Sequence, residues 1–374
     1  MYKYRKKFGK NKTPTDYTTA ITAIVLSIFG VLMIASAVRV GNNSYVTKQS
    51  FAIFLGICFM FILSYVNYEV FLNLKLCIAL FAGAIFLLVI TLIIGIGEGN
   101  QNWISLSGIS LNIQPSEFAK VIFIITFSKH LDMIKTKINK PLNVLLLLLH
   151  AGIVIGLVML QGDLGSALIF MMIAITMCYI RGLSIFYMLG GAAAIVLASP
   201  YLWQLLKPYQ QQRILVGFNP ELDPMGYGYQ QILSKNAIIN SSLLGTGYME
   251  STISPTIPYN HTDMIFSIIA EELGLIGVIV LLSLLIFLVF RIIKVSFLSR
   301  KDIGSTICAG IVAMIIAQSV ENIGMTLGLL PIIGITLPFI SYGGSSIVSL
   351  FVSMGIVLSI YRYQNKYFFE REPS

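Results

Sequence analysis

Apolar runs of roughly 20 residues recur along almost the whole chain, and this pattern constrains the fold more than any other feature of the sequence. Charged residues make up only 11% of the 374 residues, whereas hydrophobic residues make up 56%. About a quarter of a soluble domain is charged, so a chain this poor in charge is expected to fold in a lipid bilayer. We therefore predict an all-α integral membrane protein with a single membrane domain, surrounded by membrane lipids.

Taken as membrane spans, the apolar runs predict ten transmembrane helices. They cover residues 17–38, 49–66, 76–96, 115–129, 142–160, 163–180, 183–203, 263–290, 303–330 and 345–361. The prediction gives a membrane domain over 17–361, between an N-terminal tail (1–16) and a C-terminal tail (362–374). A large loop, 203–262, separates helices 7 and 8, and its apolar residues favour an ordered element lying on the membrane.

Basic residues predict the orientation in the membrane. Ten spans put both termini on one side, and cytoplasmic loops carry an excess of Lys and Arg. With both tails cytoplasmic, 19 basic residues lie inside and five outside. The large loop is then extracellular. The same distribution explains the net charge of +9 without a nucleic-acid partner, and the absence of a small-residue cleavage site predicts that the first span is retained.

Several common kinds of site are not indicated. The four cysteines, Cys58, Cys77, Cys178 and Cys308, all lie within apolar runs and show no Cys-x-x-Cys spacing. They are expected to pack in the core rather than to form disulfides or bind metal. No zinc motif, phosphate-binding glycine loop or Ser-His-Asp arrangement is apparent.

The stretch from Pro258 to Gly274 places an acidic residue where water meets membrane. Asp263 is predicted in the first turn of the eighth helix, with Asn260 or Thr262 as its cap. The helix dipole favours an ionised carboxylate there, which is the state that a general base needs. Capping of the helix alone is the alternative for Asp263.

Glu271 and Glu272 follow in the same predicted helix, eight and nine residues after Asp263. They are therefore expected near membrane depth, where ionisable groups are costly and face the interior of a helix bundle. A functional role is the default for such residues. The alternative is structural pairing with Lys or Arg from a neighbouring span.

Two other predicted external segments carry acidic residues. Residues 103–113 alternate apolar and polar side chains, as expected of an extended segment lying on the membrane, and Pro115 then opens a helix. On that helix Glu117 and Lys120 share a face and can pair. Asp163 lies in a tight, glycine-containing turn between spans five and six, at the same outer surface.

These groups suit an anionic substrate that bears a hydroxyl. Lys120 and Arg213 can bind phosphate, while a carboxylate accepts a proton. His261 neighbours Asp263, but a lone interfacial histidine is more often a polar packing residue. Residues 322–346 are too rich in glycine and proline for a simple span; either they line the same outer cavity or their small residues pack helices tightly.

Four stretches, in this order, resemble one protein family along nearly the whole chain. They are Gln-Pro-Ser-Glu-Phe-Ala-Lys (114–120), Gln-Gly-Asp-Leu-Gly-Ser (161–166), His-Thr-Asp-Met-Ile-Phe (261–266) followed by Glu-Glu-Leu-Gly (271–274), and the segment from Asn322 to Ser346. The chain resembles the SEDS proteins (shape, elongation, division and sporulation), typified by RodA, FtsW and SpoVE. The form Asn-Ile-Gly-Met at 322–325 is more similar to RodA than to FtsW.

The resemblance implies an inverting glycosyltransferase with ten transmembrane helices. Such an enzyme polymerises lipid II at the outer face of the bacterial cytoplasmic membrane, releases undecaprenyl diphosphate, and works with a class B penicillin-binding protein that crosslinks the strands. By the motifs, Asp263 is the catalytic residue. The predicted substrate-binding residues are Glu117, Lys120, Asp163, Arg213, His261 and Ser341, and the predicted structural or cavity residues are Gln114, Glu271, Glu272 and Asn322.

Some positions depart from the family pattern, and other functions stay open. Asn102 and Asn112 stand where the family often has basic residues, which removes possible phosphate contacts. No cofactor is indicated with certainty, although Mg²⁺ or Mn²⁺ is an alternative to cationic side chains for offsetting diphosphate charge. A lipid II flippase, using Glu271, Glu272 and Glu321 along its path, and a pure scaffold for wall enzymes are the competing functions.

Overall fold

A computed structural model describes residues 15–39, 44–96, 101–106, 111–206, 208–299 and 301–363. Most of the two predicted cytoplasmic tails lies outside the described residues, as do Lys207 and Arg300. The described part of the chain is predominantly helical, as the apolar runs predict.

Twelve α-helices lie within the described ranges. They are α1 (Tyr17–Val38), α2 (Ser44–Tyr65), α3 (Leu74–Ile94), α4 (Pro115–Met133), α5 (Pro141–Leu160), α6 (Leu164–Ile180), α7 (Ile185–Leu205), α8 (Pro208–Phe218), α9 (Tyr229–Ile239), α10 (Ile265–Leu298), α11 (Asp302–Thr326) and α12 (Gly344–Arg362). Short 3₁₀ helices cover Tyr68–Leu72, Pro220–Leu222 and Ser254–Thr256. Each of the ten predicted spans coincides with one long helix, and the remaining two helices, α8 and α9, lie in the predicted large loop.

Seven of the described helices are long and apolar enough to cross a membrane: α1, α2, α3, α5, α10, α11 and α12. Two shorter apolar helices lie at Leu164–Ile180 and Ile185–Tyr201. The helix α4 is long enough, but its hydropathy is lowered by charged residues that include Glu117, Lys120 and Lys129. These lengths and compositions describe a multi-pass membrane protein.

The core of the bundle lies around α11 and α12. Most of the residues of these two helices are buried, and α12 packs along α2 while α11 packs between α6 and α10. In contrast to α11 and α12, the helix α7 has no buried residue among those described and presents an apolar surface on all sides. A helix that is apolar all round is expected where lipid is the solvent.

The helix α10 is broken at Gly274, where the backbone has φ +63° and ψ −161°. The loop that follows α9 fills the break: Leu275 N–H donates to the carbonyl of Ser242 (3.3 Å) and Thr246 N–H donates to the carbonyl of Glu271 (2.9 Å). A Cβ at Gly274 would lie 2.3 Å from the Gly245 nitrogen, so only glycine fits. The predicted span from 263 thus begins at Ile265 instead and is broken at Gly274.

A small β-hairpin corrects the all-α expectation. The strands β1 (Ile104–Leu106) and β2 (Leu111–Ile113) pair antiparallel, with Ile104 opposite Ile113. The alternating pattern correctly predicts extended backbone at 104–106 and 111–113, while residues 107–110 lie outside the described part of the chain. Three of the four cysteines, Cys77, Cys178 and Cys308, are buried, as expected of core packing residues, whereas Cys58 is partly exposed.

Candidate active site around Asp263

Asp263 lies in the turn that precedes α10, not in its first helical turn. The residue before the helix is Met264, which makes no side-chain cap. The two predicted caps bond elsewhere: Asn260 Nδ2 donates to the carbonyls of Ala37 and Ser254, and Thr262 Oγ1 donates to the carbonyl of Tyr259. The prediction that Asn260 or Thr262 caps this helix is therefore wrong. Asn260 instead joins its own turn to the end of α1 and to Ser254.

Asn322, on α11, fixes the backbone of Asp263. Its Nδ2 donates to the carbonyl of Asp263 (2.9 Å) and to the carbonyl of Ile335 (2.7 Å). The side chain of Asn322 is fully buried, so these bonds are shielded from water. They hold the glycine-rich segment beside Asp263, and a Cβ placed on Gly334 would lie 3.6 Å from the Asp263 Oδ2 atom.

The Asp263 carboxylate is half-buried and has no hydrogen-bond partner among the described residues. Burial raises its pKa from 3.8 to about 6, an effect that the guanidinium of Arg213 opposes and the carboxylate of Asp163 increases. A carboxylate with this pKa is ionised at neutral pH yet more basic than an exposed aspartate. Those properties suit a general base.

Glu117 and Lys120 form a buried ion pair on α4. Lys120 Nζ lies 2.8 Å from Glu117 Oε1, and the side chain of Lys120 is fully buried. The other oxygen of Glu117 accepts a longer hydrogen bond from Ser349 Oγ on α12 (3.3 Å). The predicted pairing is thus present, and it links α4 to α12 beneath the outer surface.

Asp163 is held by donors from three segments. Its Oδ1 caps α6 by accepting from Ser166 N–H (2.9 Å), while its Oδ2 accepts from Gln114 Nε2 (3.1 Å) and Asn102 Nδ2 (3.5 Å). The preceding Gly162 has φ +83°, which makes the predicted tight turn. Gln114 and Asp163 thereby join the start of α4 to the start of α6.

Arg213 lies on α8, within electrostatic range of Asp263. It makes no ion pair with any described residue. It lines a cavity of about 170 Å³ together with Tyr227, Tyr229, Gln231 and Pro258. An unpaired guanidinium at a cavity near a carboxylate is an available anion ligand.

His261 and Ser341 lie on the turns around Asp263. Ser341 is buried, and its hydroxyl accepts from Leu337 N–H (2.8 Å), so it shapes its own turn. His261 is half-buried against the rings of Tyr45 and Tyr342. Burial lowers the pKa of His261, which keeps its imidazole neutral at neutral pH.

Glu271 and Glu272 hold residues 251–254 against α10, and neither pairs with Lys or Arg among the described residues. The carboxylate of Glu271 accepts from the backbone N–H groups of 252–254 (2.7–2.9 Å) and from the Ser254 hydroxyl. Glu272 Oε1 accepts from the hydroxyls of Ser36 (2.5 Å) and Ser251 (2.6 Å). The predicted partners are wrong because residues 251–254 and the Ser36 hydroxyl on α1 supply the hydrogen-bond donors instead.

Glu321 lies near the site, although the sequence suggested a role for it only in the competing flippase function. It is 8% exposed, and its Oε2 atom is buried without a hydrogen-bond partner. Lys120 and Asp163 lie within its electrostatic range. An ionisable residue in an apolar helix, directly before Asn322, is the sequence feature that could have identified it.

Together these residues can accept a proton and stabilise an anion. Among the residues that the structure describes, no group of three or more His, Cys, Asp or Glu side chains could hold a metal ion. The donor set therefore does not fit a metal site built from protein ligands alone. Lys120 and Arg213 are the cationic side chains that lie near the acidic groups of the site.

Comparison with known proteins relates the whole chain to one family. The family model described as "Cell cycle protein", covering FtsW, RodA and SpoVE, matches residues 17–366. A probable peptidoglycan glycosyltransferase FtsW from Geobacter metallireducens is 34% identical over 364 residues, which span 92% of this chain and 94% of the relative. The peptidoglycan glycosyltransferase MrdB of Escherichia coli is 31% identical over 373 residues, 96% of each chain.

Solved structures show the same fold. A chain from a study of the structural coordination of polymerization and crosslinking by a peptidoglycan synthase complex has a TM-score of 0.81 and 30% identity, covering 94% of this chain and 99% of that one. The rod shape determining protein RodA of Thermus thermophilus has a TM-score of 0.71 and 26% identity, covering 94% and 98%. The chain belongs to the FtsW/RodA/SpoVE family of cell cycle proteins, the SEDS family.

Proposed function

We propose that the chain is a peptidoglycan glycosyltransferase that polymerises lipid II into glycan strands for cell shape or division. The observation that carries the proposal is the Asp263 carboxylate, which is half-buried, free of hydrogen bonds within the described part of the chain, and within range of Arg213. Relatives with the same fold are named peptidoglycan glycosyltransferases, which supports this reaction for the site.

In the proposed mechanism Asp263 is the catalytic base. Its carboxylate accepts the proton of the acceptor sugar's 4-hydroxyl as that oxygen bonds to the anomeric carbon of the lipid-linked donor chain. The bond from the anomeric carbon to the diphosphate oxygen breaks, and undecaprenyl diphosphate leaves with the electron pair. Attack from the opposite face inverts the α-linkage to a β-linkage.

The leaving diphosphate needs positive charge. Arg213 is within range of Asp263, and Lys120 is the buried cation of the same outer region, so both can offset the developing charge. Gln114 and Asp163 hold the starts of α4 and α6, and Asn322 holds Asp263 itself. A Mg²⁺ or Mn²⁺ ion bound by the substrate phosphates is the alternative counter-charge, and no step is assigned to it.

The chemistry is proposed for the outer face of the cytoplasmic membrane. We assign ten transmembrane helices, α1 to α7 and α10 to α12, with both termini cytoplasmic. This orientation places the loop that contains α8 and α9, together with Asp263, outside. We also propose a class B penicillin-binding protein as the partner, since the structural relative comes from a complex that coordinates polymerization and crosslinking.

A lipid II flippase is the competing function, and the contacts of two residues weigh against it. A transport path needs available ionisable groups, but Glu271 and Glu272 are engaged in holding the outer loop. Purified protein in detergent has no second compartment, so glycan synthesis from lipid II there supports the polymerase. Transfer of lipid II across vesicle membranes without any glycan product would support the flippase instead.

A further inference from the structure

Three aromatic rings from separate parts of the chain pack together, and one of them, His261, precedes the proposed base Asp263 by two residues. Tyr45 comes from the start of α2, His261 from the turn before α10, and Tyr342 from the turn before α12. The ring centroids of Tyr45 and His261 are 4.6 Å apart, those of Tyr45 and Tyr342 are 5.1 Å apart, and those of His261 and Tyr342 are 5.7 Å apart. We call these three rings the aromatic platform.

Hydrogen bonds between the three segments hold the platform rigidly. Tyr342 N–H donates to the carbonyl of His261 (2.9 Å), which joins two of the turns directly. The side chain of Gln49, which is 1% exposed, donates to the carbonyl of Ser341 (3.1 Å) and accepts from Gly343 N–H (3.1 Å). Since Gln49 lies one turn after Tyr45 on α2, the backbone around all three rings is crosslinked.

Two rings of the platform, those of His261 and Tyr342, remain uncharged at neutral pH, and part of the platform stays open. Burial lowers the pKa of His261, while burial and the neighbouring Tyr45 raise the pKa of Tyr342. All three side chains are partly exposed rather than buried. A rigid, neutral, partly open aromatic surface is a feature of sites that bind ligands through their apolar faces.

We propose that the aromatic platform binds the pyranose ring of the acceptor sugar. A pyranose presents a face of C–H groups, which the electron-rich faces of aromatic rings attract, while its hydroxyl groups project sideways toward water and polar partners. Because His261 and Asp263 are separated by one residue, a sugar on the platform can direct a hydroxyl to the Asp263 carboxylate. This inference rests on the proposed glycosyltransferase function and adds a subsite to it.

The test measures the initial rate of polymerisation against lipid II concentration for Tyr45→Ala, Tyr45→Phe, Tyr342→Ala and Tyr342→Phe. Loss of one ring face is expected to raise KM about three- to tenfold, with kcat within about twofold of wild type. The phenylalanine variants keep the ring and are expected to raise KM less than the alanine variants do. Tyr201→Ala is the matched control, because Tyr201 is an exposed tyrosine near the outer end of α7.

A purely structural role would give a different result. If the rings only lock the turns, the alanine variants will lose thermal stability and kcat while KM stays unchanged, and the inference is wrong. Tyr45→Leu, which keeps apolar packing but has no ring, covers the case in which an alanine variant does not fold; a wild-type KM for Tyr45→Leu contradicts the platform. Wild-type protein that makes no glycan would instead contradict the proposed function itself.

Discussion

The side-chain amide of Asn322 lies 2.9 Å from the carbonyl oxygen of Asp263 and donates a hydrogen bond to it. The same amide nitrogen bonds the carbonyl of Ile335, so one buried residue on α11 sets the position of the base relative to the segment that faces it. The carboxylate of Asp263 has no such restraint among the described residues. The orientation of the Asp263 carboxylate therefore depends on how the backbone of Asp263 is held.

Asn322→Ala is expected to lower kcat for lipid II polymerisation by about tenfold to a hundredfold, because the loss leaves two buried carbonyls without a donor. Asn322→Asp also lacks the donor and is expected to be no better. Ser319→Ala is the matched control, since the hydroxyl of Ser319 bonds only to the carbonyl of Ile315 in its own helix. Equal activity of Asn322→Ala and Ser319→Ala would contradict the positioning role.

The raised pKa of Asp263 predicts the pH dependence of the reaction. A general base works only when ionised, so kcat is expected to rise with pH through a midpoint near the pKa of about 6 and then to level off. A rate that is constant across that range, with the chemical step rate-limiting, would contradict this prediction. Single-turnover rates separate chemistry from product release.

Two neighbours of Asp263 are expected to move this pH profile in opposite directions. Arg213→Gln removes a cation that lowers the pKa of Asp263, so the midpoint should move to higher pH. Asp163→Asn removes an anion that raises the same pKa, so the midpoint should move to lower pH. Midpoints that stay at the wild-type pH in both variants would show that another group controls the profile.

The buried ion pair on α4 predicts a stability effect that is not additive. Lys120→Met leaves the Glu117 carboxylate buried and unpaired, which is expected to cost about 3–5 kcal/mol of unfolding free energy. Lys120→Met combined with Glu117→Gln should recover part of that loss, because no lone charge remains. Thermal unfolding in detergent measures Lys120→Met, Glu117→Gln and the double variant. Full additivity of the two single changes would contradict the pairing.

Glu271 is expected to hold the outer loop through its accepted hydrogen bonds. Glu271→Ala leaves the amides of 252–254 without their acceptor and should cost at least about 3 kcal/mol, since each hydrogen bond to a charged group contributes about 1.5–3 kcal/mol. Limited proteolysis should then cut the loop faster than in wild type. Glu250→Ala, at an exposed residue of the same loop, is the control. Equal cleavage of both variants would contradict the anchoring role.

The membrane helices could be predicted from sequence because lipid requires long apolar runs and internal backbone hydrogen bonds. The break in α10 could not, since the carbonyl groups that replace its lost acceptors come from Ser242 and Leu243, more than 30 residues away in the chain. The local pattern around Gly274 is that of an uninterrupted helix. The helix cap expected of Asn260 fails for a similar reason, because one of its partners, the carbonyl of Ala37, is distant in the chain. Thr262 instead bonds the carbonyl of Tyr259 within its own turn.

In the site, motif resemblance indicated Asp263, Lys120 and Asp163, and the structure places Arg213 and Asp163 within electrostatic range of Asp263. The contribution of Tyr45 could not be predicted, because it meets His261 and Tyr342 only after three distant segments fold together. Local periodicity carries no information about such contacts. The ion pair of Glu117 and Lys120 was predictable because its residues are one helical turn apart.

The most direct test of the account is the rate at which purified Asp263→Asn protein polymerises lipid II. The raised pKa means that ionised Asp263 destabilises the fold increasingly as pH rises from 3.8 to about 6, so at neutral pH the variant should unfold at no lower temperature than wild type. Glu221→Gln, at an exposed acidic residue of the same outer loop, is the matched control. We predict a folded Asp263→Asn protein that makes no detectable glycan while Glu221→Gln keeps wild-type activity; polymerisation by Asp263→Asn at the wild-type rate would contradict the assignment of Asp263 as the base.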